Sequence, residues 1–348
     1  MEQLSAWLTG AETIELREAP VPQPGPGELL IRIGAAVTCG TDVKVYSRGG
    51  HPRMLEVPSP FGHEVAGTVI GCGAGIENWQ KGDRVVVSNS ASCGRCDFCA
   101  RGSENLCTDL VYLNGAFSRY LLVPARFAER GVYRIPDQLG FAAAALSEPL
   151  ACVLHGIEKL DPQPGERGVL FGAGPIGLLF TAVLSKRGLE VVVADPNEPR
   201  LELASSLGAS GILAVERGSP AAEKALSMSP QAGGFDYAID ATGSPAGWLD
   251  ALASVRPGGR VSLFGGCAPG TAVELDSHRV HYEELTVMGA YHHRPADFSA
   301  ALELLAAGEL DTDVFLSSER PLEEIEAALG DMIARRAVKV VIRPHPRG

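Results

Sequence analysis

"VLFGAGPIGLL", residues 169–179, decides how the middle of this chain folds. An apolar, partly β-branched run ends at Phe171 and reads as a strand. Gly172, Gly174 and Gly177 follow in the spacing G-x-G-x-x-G, and an apolar helix runs on from there. A second strand, "EVVVADP" (190–196), then closes in an acid. Strand, glycine turn, helix and acid-tipped strand together form the fingerprint of a dinucleotide site. Gly172 makes the tight turn, Gly174 lets the backbone approach a pyrophosphate, and Gly177 lets helix and strand pack closely. Pro175 and Ile176 lie between the second and third glycines and belong to the same cofactor-binding turn. The helix N-terminus offers free N–H groups and a positive dipole to the phosphates. Asp195 ends the second strand where a carboxylate accepts hydrogen bonds from the adenosine ribose and repels a 2′-phosphate. The cofactor expected is therefore NAD. Arg200 lies close enough to keep NADP as the alternative, and the structural reading of Asp195 is a strand-end turn residue.

Further alternation follows. "FDYAIDAT" (235–242), "WLDALASVRPGGRVSLFGG" (248–266) and "LTVMGAY" (285–291) continue the pattern. This is the texture of an α/β chain with a doubly wound parallel sheet. The first third differs: "GELLIRIGAAVTC", "VAGTVIGCG" and "KGDRVVVS" read as short strands between turns. "DQLGFAAAALSEPLACVLHGIEKL" (137–160) changes to Ala/Leu-rich helix. After residue 290 come two helical segments, "PADFSAALELLAAGEL" and "PLEEIEAALGDMIARR", and a last strand, "VKVVIRP". The tail is expected to rejoin the first domain. This gives one domain of 1–150 with 291–348, and a cofactor domain of 151–290.

Composition sets the outer limits. The chain has 348 residues, 45% hydrophobic and 21% charged, with net charge −12 and a sequence pI near 5.2. That suits two domains with cores of their own. An acidic field repels nucleic acid, and no basic cluster offsets it. No apolar run approaches the roughly 18 residues of a membrane span. The first residues lack a basic region followed by an apolar stretch, so a cytoplasmic protein is expected. Eight cysteines in that setting point to metal or catalysis before disulfides.

Four of the cysteines crowd "SASCGRCDFCARGSENLC" (90–107). Cys93, Cys96, Cys99 and Cys107 offer four thiolates on short loops, a set that fills the tetrahedral shell of zinc. A full shell leaves no position for substrate, so this zinc is structural and staples the lobe 90–108. An iron–sulfur cluster prefers other spacings. Chemistry must lie elsewhere. "VTCGTDV" places Cys39 near Thr41 and Asp42, "FGHEVAG" pairs His63 with Glu64, and "LSEPLAC" supplies Glu148. Each fragment alone is weak, because a lone cysteine is usually a small core residue. Together they offer sulfur, nitrogen and carboxylate, the ligand set of a catalytic zinc with an open position. Two zinc ions per chain are expected. Cys72, Cys152 and Cys267 read as buried reduced thiols.

The combination "TCGTDV", "GHEVAGTV", the four-cysteine lobe, "SEPLAC" and "GAGPIG" resembles the zinc-dependent medium-chain dehydrogenases, across nearly the whole chain and in the right order. The resemblance is closest to the polyol (sorbitol-like) and threonine dehydrogenase branch. It implies a GroES-like β-barrel catalytic domain, a Rossmann cofactor domain with the active-site cleft between them, a nicotinamide cofactor, and homodimers or homotetramers. It implies Cys39 and His63 as catalytic zinc ligands, and Thr41 as the hydroxyl that relays the alcohol proton. The third ligand stays open between Glu64 and Glu148, the latter alternatively holding a water at the metal. Asp42 is the candidate for orienting a ligand through a hydrogen bond. Many relatives carry a histidine three residues after Thr41. This chain has Lys44, and an ammonium is a poor proton acceptor near neutrality.

The activity implied is hydride transfer from a secondary alcohol, in a polyol, sugar or cyclitol, to NAD. Threonine or a simple alcohol is the alternative substrate. Threonine enzymes usually carry Asp-Pro-Phe where this chain has Glu148-Pro149-Leu150, which favours the polyol side. A non-catalytic zinc- and nucleotide-binding protein is the more distant alternative. His51, Arg53, His278, His281, His292 and His293 are candidate substrate contacts, each against the simpler reading of a surface or capping residue.

Overall fold

A computed structural model of the chain describes residues 2–229 and 233–345. It divides into two compact units, Met1–Ala151 with His293–Gly348, and Cys152–His292.

The second unit is built on six parallel strands. In sheet order they are Gly211–Ala214, Glu190–Asp195, Arg167–Phe171, Phe235–Asp240, Val255–Leu263 and Thr286–Gly289. Counted along the chain, that order is 3-2-1-4-5-6, so the order reverses beside the first strand. The first strand is central, and Val169, Leu170 and Phe171 are all buried. A strand covered on both faces must be apolar throughout rather than alternating. Each such side chain contributes about 1.5–3 kcal/mol by leaving water. Its apolar run therefore follows from its place in the sheet.

The first unit is mainly antiparallel. A seven-stranded sheet runs in the order Val132–Arg134, Arg84–Val87, Glu64–Cys72, Leu29–Val37, Lys339–Arg343, Leu316–Pro321, with Tyr120–Val123 also pairing Leu29–Val37. A second sheet holds Glu2–Gly10 between Thr13–Pro20 and Ser59–Pro60. Ile31, Ile33, Phe61, Val65, Val69, Phe117, Val340 and Ile342 meet in one core. Register brings the later site together. Val37 pairs with Glu64 on one side and Val341 on the other, so three distant segments lie side by side.

The lobe between the short paired strands Ser90–Ala91 and Val111–Tyr112 has little core of its own. Phe98 and Leu106 are 41% and 48% exposed. So small an apolar interior needs a staple. Two features escape a reading by pattern. The strand Leu316–Pro321 is mostly exposed and carries no clear alternation. Cys72, Cys152 and Cys267 are in no disulfide and are only half-buried, which corrects the expectation of buried thiols. Among the described residues no helix is long and apolar enough to cross a membrane.

Candidate functional site

The helix Gly40–Arg48 begins where the strand Leu29–Val37 ends. Cys39 is its N-cap, and the Asp42 carboxylate accepts the Cys39 N–H at 2.8 Å. This reciprocal cap fixes the turn that carries the thiol. The second oxygen of Asp42 lies 2.9 Å from Nδ1 of His63, with both side chains buried. One carboxylate thus locks the backbone of Cys39 and the ring of His63 together. With Nδ1 engaged, Nε2 is the nitrogen left to face a metal.

The donor atoms of Cys39, His63 and Glu64 lie within 4.8 Å of one another, all buried. The Thr41 N–H donates to the Cys39 sulfur at 3.4 Å. Behind them Lys339, fully buried, donates to both Glu64 oxygens at 2.7 and 2.6 Å and to the Thr38 carbonyl at 2.9 Å. Burial pushes the Cys39 thiol up, and Glu64 pushes it further. Burial pulls His63 down, but Asp42 outweighs it and holds the imidazole well above its ordinary value. Burial pushes the Glu64 carboxyl up, to about 7, against the pull of Lys339. Burial opposes the Lys339 charge, yet Glu64 holds it above its ordinary value. Two carboxylate oxygens on one ammonium require the carboxylate ionised, so Glu64 and Lys339 form an ion pair. A thiol, an imidazole and a carboxylate buried within reach of one another fit a divalent cation of zinc's softness. Its charge would favour the thiolate that burial opposes.

Glu148 is buried in the same unit and close enough to Glu64 and Lys339 to raise the pKa of both. It is not one of the three closely grouped donors. Its Oε1 accepts a hydrogen bond from Asn89 at 2.8 Å. Thr41 is half-buried, and Lys44 is exposed on the same helix.

The four lobe sulfurs also lie within 4.8 Å of one another. Cys96–Cys99, Cys96–Cys107 and Cys93–Cys99 are 3.5, 3.8 and 4.0 Å apart. Zinc–sulfur bonds of about 2.3 Å in a tetrahedron set sulfurs about 3.8 Å apart. Backbone N–H groups of Cys93 and Asp109 donate to the Cys107 sulfur at 3.2 and 3.4 Å. Backbone N–H groups hold Cys96 down to about 5, while burial pushes Cys107 up to about 12. The donor set and spacing fit a closed zinc site.

In the second unit, Gly172 has φ +102°, the left-handed region. Gly174 caps the helix Pro175–Lys186, with Pro175 and Ile176 in its first turn. A Cβ on Gly177 would lie 1.8 Å from the Gly172 carbonyl oxygen, so helix and turn touch through that glycine. Asp195 accepts N–H groups from Ala173 at 2.7 Å and Asn197 at 2.8 Å. The acid thus also pins the turn. Arg200 is buried three residues along from Asn197, whose side chain caps the next helix.

Of the histidines, His278 and His281 are exposed beside Tyr282 on the short helix Ser277–Tyr282. His51 and Arg53 border a cavity of about 440 Å³ with Tyr112 and Asn114. Lys339 and Asn89 were not legible as site residues, and His293 was legible only as a candidate substrate contact. The only signal for the first was a lysine inside the apolar run 337–342.

Residues 25–137 match the family model of the alcohol dehydrogenase GroES-like domain, and residues 175–307 that of the zinc-binding dehydrogenases. The chain is 30% identical to a sorbitol dehydrogenase of Bacillus subtilis, over 98% of this chain and 97% of that one. It is 32% identical to an L-threonine 3-dehydrogenase of Streptomyces avermitilis, over 94% and 95%. Among solved structures, a Sinorhizobium meliloti protein classed with the zinc-binding dehydrogenases and bound to NADP superposes with a TM-score of 0.90 at 28% identity, covering 99% of this chain and 100% of that one. With these likenesses spanning both units, the chain belongs to the zinc-dependent medium-chain dehydrogenases, in their polyol and threonine dehydrogenase branch, and is an oxidoreductase of that family.

Proposed function

We propose that the protein oxidises a secondary alcohol of a polyol, sugar or cyclitol to the ketone with NAD, reversibly. The observation that carries this reading is the buried trio of Cys39, His63 and Glu64, with His63 held through Nδ1 by Asp42. Cys39, His63 and Glu64 hold the catalytic zinc, since Glu64 stands in the close group and Glu148 does not. When bound, zinc supplies Lewis-acid polarisation of the alcohol oxygen, and the nicotinamide accepts the hydride.

The chain's own residues do the rest. Asp42 keeps the His63 ring turned and its Nε2 available. Lys339 neutralises Glu64, so the site carries less net negative charge. The Thr41 hydroxyl takes the alcohol proton as it passes its own to water; Lys44, where many relatives carry a histidine, is exposed on the same helix. Glycines 172, 174 and 177 cradle the pyrophosphate, and Asp195 selects the ribose of NAD against the phosphate of NADP. Cys93, Cys96, Cys99 and Cys107 hold a second, structural zinc. A cytoplasmic homodimer or homotetramer completes the reading, supported by eight cysteines outside any disulfide and by the family.

The test is NADH formation by zinc-loaded protein against polyols, aldoses, cyclitols, threonine and simple alcohols. Turnover confined to polyhydroxylated compounds supports the proposal. Turnover confined to threonine moves the substrate to the alternative that the Streptomyces relative's similarity favours. Silence with one zinc per chain overturns the catalytic site.

A further inference from the structure

Asn89 stands at the root of the cysteine lobe, directly before the strand Ser90–Ala91. Its carbonyl accepts the Leu113 N–H at 2.9 Å, which ties it to the far side of the lobe. Its side chain points inward, only 2% exposed. Nδ2 donates to Glu148 Oε1 at 2.8 Å, and Oδ1 faces His293 Nε2 at 3.3 Å. A carboxylate can only accept, so the amide must turn its NH₂ to Glu148 and its carbonyl to His293. His293 must then carry its proton on Nε2.

His293 is 4% exposed and packs on Phe298, ring centroids 5.3 Å apart. Phe298 in turn stacks on Tyr133 at 4.5 Å. The backbone after His293 is fixed where the Asp297 carboxylate accepts the Arg294 N–H at 2.7 Å, opening the helix Pro295–Ala306. Three buried side chains from three distant segments therefore form one directed line, His293 to Asn89 to Glu148. Glu148, at its end, acts on the Glu64–Lys339 pair.

We propose that Asn89 and His293 are positioning residues for the reaction, and that they fix the orientation of Glu148 beside the catalytic zinc; this rests on the zinc reading above. A flipped Asn89 amide would set its carbonyl oxygen against Glu148, acceptor against acceptor. The His293 donor removes that alternative. His293 thus acts through Asn89, not on the substrate.

The test compares His293→Leu, His293→Gln and Asn89→Ala with the wild type. The readouts are zinc per chain, zinc retention against a chelator, the absorption spectrum of cobalt-substituted protein, kcat and NAD affinity. Neighbours that orient a metal site typically contribute about 10–100-fold to affinity or activity. His293→Leu and Asn89→Ala are expected to lose kcat or zinc retention in that range, about tenfold or more. They should shift the cobalt spectrum and leave NAD affinity unchanged. His293→Gln keeps a donor and should recover most of the loss. Two zincs per chain with His293→Leu undiminished overturns the positioning role alone. His293→Gln as damaged as His293→Leu also overturns it, because packing and not the donor then matters. One zinc per chain in the wild type overturns the zinc reading, and this proposal with it.

Discussion

Lys339 Nζ stands 2.6 and 2.7 Å from the two carboxylate oxygens of Glu64, and neither side chain reaches solvent. A buried pair of this kind adds little stability compared with apolar residues, but breaking it leaves a bare charge in the interior. Lys339→Met should destabilise the first unit by about 3–5 kcal/mol. Glu64→Gln in the same chain should restore part of that loss, since the stranded charge is gone. Urea unfolding of the two single variants and the double variant measures the coupling. A double variant whose loss equals the sum of the two single losses would show that the two side chains are independent.

Asp42 is bound to two partners that need a carboxylate. Its oxygens serve the Cys39 N–H and His63 Nδ1. Asparagine has one acceptor. If that oxygen keeps the helix cap, the NH₂ group faces Nδ1 and makes it the acceptor. The ring proton then sits on Nε2, where a metal would bind. Asp42→Asn should therefore keep its fold and lose about 10–100-fold in affinity for one of two zincs. Chelator competition reads this directly. An unchanged affinity would mean that His63 does not use Nε2.

His63 also sets a pH dependence. Burial opposes its charge, but Asp42 holds its pKa well above the ordinary value. In zinc-free protein the imidazolium–Asp42 pair is stabilising in full below pH about 6.5, and that contribution fades as pH climbs through the raised value. A metal must displace the same proton. Zinc affinity at this site should rise with pH until the raised His63 and Cys39 values are passed, and Asp42→Asn should make the rise shallower. A flat profile in the wild type would remove His63 from the ligand set.

On the proposed reading, a zinc in the lobe should matter for turnover although it would touch no substrate. Asn89 lies four residues before Cys93, and its carbonyl is held by Leu113 beyond Cys107. Cys107→Ser should release one zinc and loosen both anchors. Expected are a fall in kcat and near-unchanged NAD affinity, because the glycine turn belongs to the other unit. Equal loss of both would indicate general unfolding.

How much of this was legible depends on whether a feature is local. The strand Arg167–Phe171 and its glycine turn are contiguous, and burial on both faces writes itself into every residue. The lobe cysteines are contiguous too. Cys39, His63, Glu64 and Glu148 announce themselves by residue type and together point to a metal, but which carboxylate stands with the thiol and the imidazole depends on the fold. The Glu64–Lys339 pair spans 275 residues and the Asn89–His293 pair 204. Both depend on register between distant segments, for which pattern holds no signal. The exposed strand Leu316–Pro321 was hidden for a different reason: it buries too little to alternate.

The glycine turn allows its two roles to be separated. A Cβ on Gly177 would lie 1.8 Å from the Gly172 oxygen and 2.9 Å from its carbonyl carbon, both backbone. Neither can move aside, so Gly177→Ala should part helix from turn and lower both stability and NAD affinity. A Cβ on Gly174 meets nothing within 4 Å. The fold therefore tolerates Gly174→Ala, and at a half-buried cap position with open space beside it the effect on stability should be small, within about 1 kcal/mol. The space beside Gly174 is the one the pyrophosphate needs. NAD affinity should then fall about tenfold or more while the melting temperature holds, since a close backbone approach is lost. Isothermal titration with NAD and a thermal melt on each variant decide the matter. If Gly174→Ala binds NAD as the wild type does, the pyrophosphate does not lie over this turn, and the assignment of Gly172, Gly174 and Gly177 to the cofactor fails.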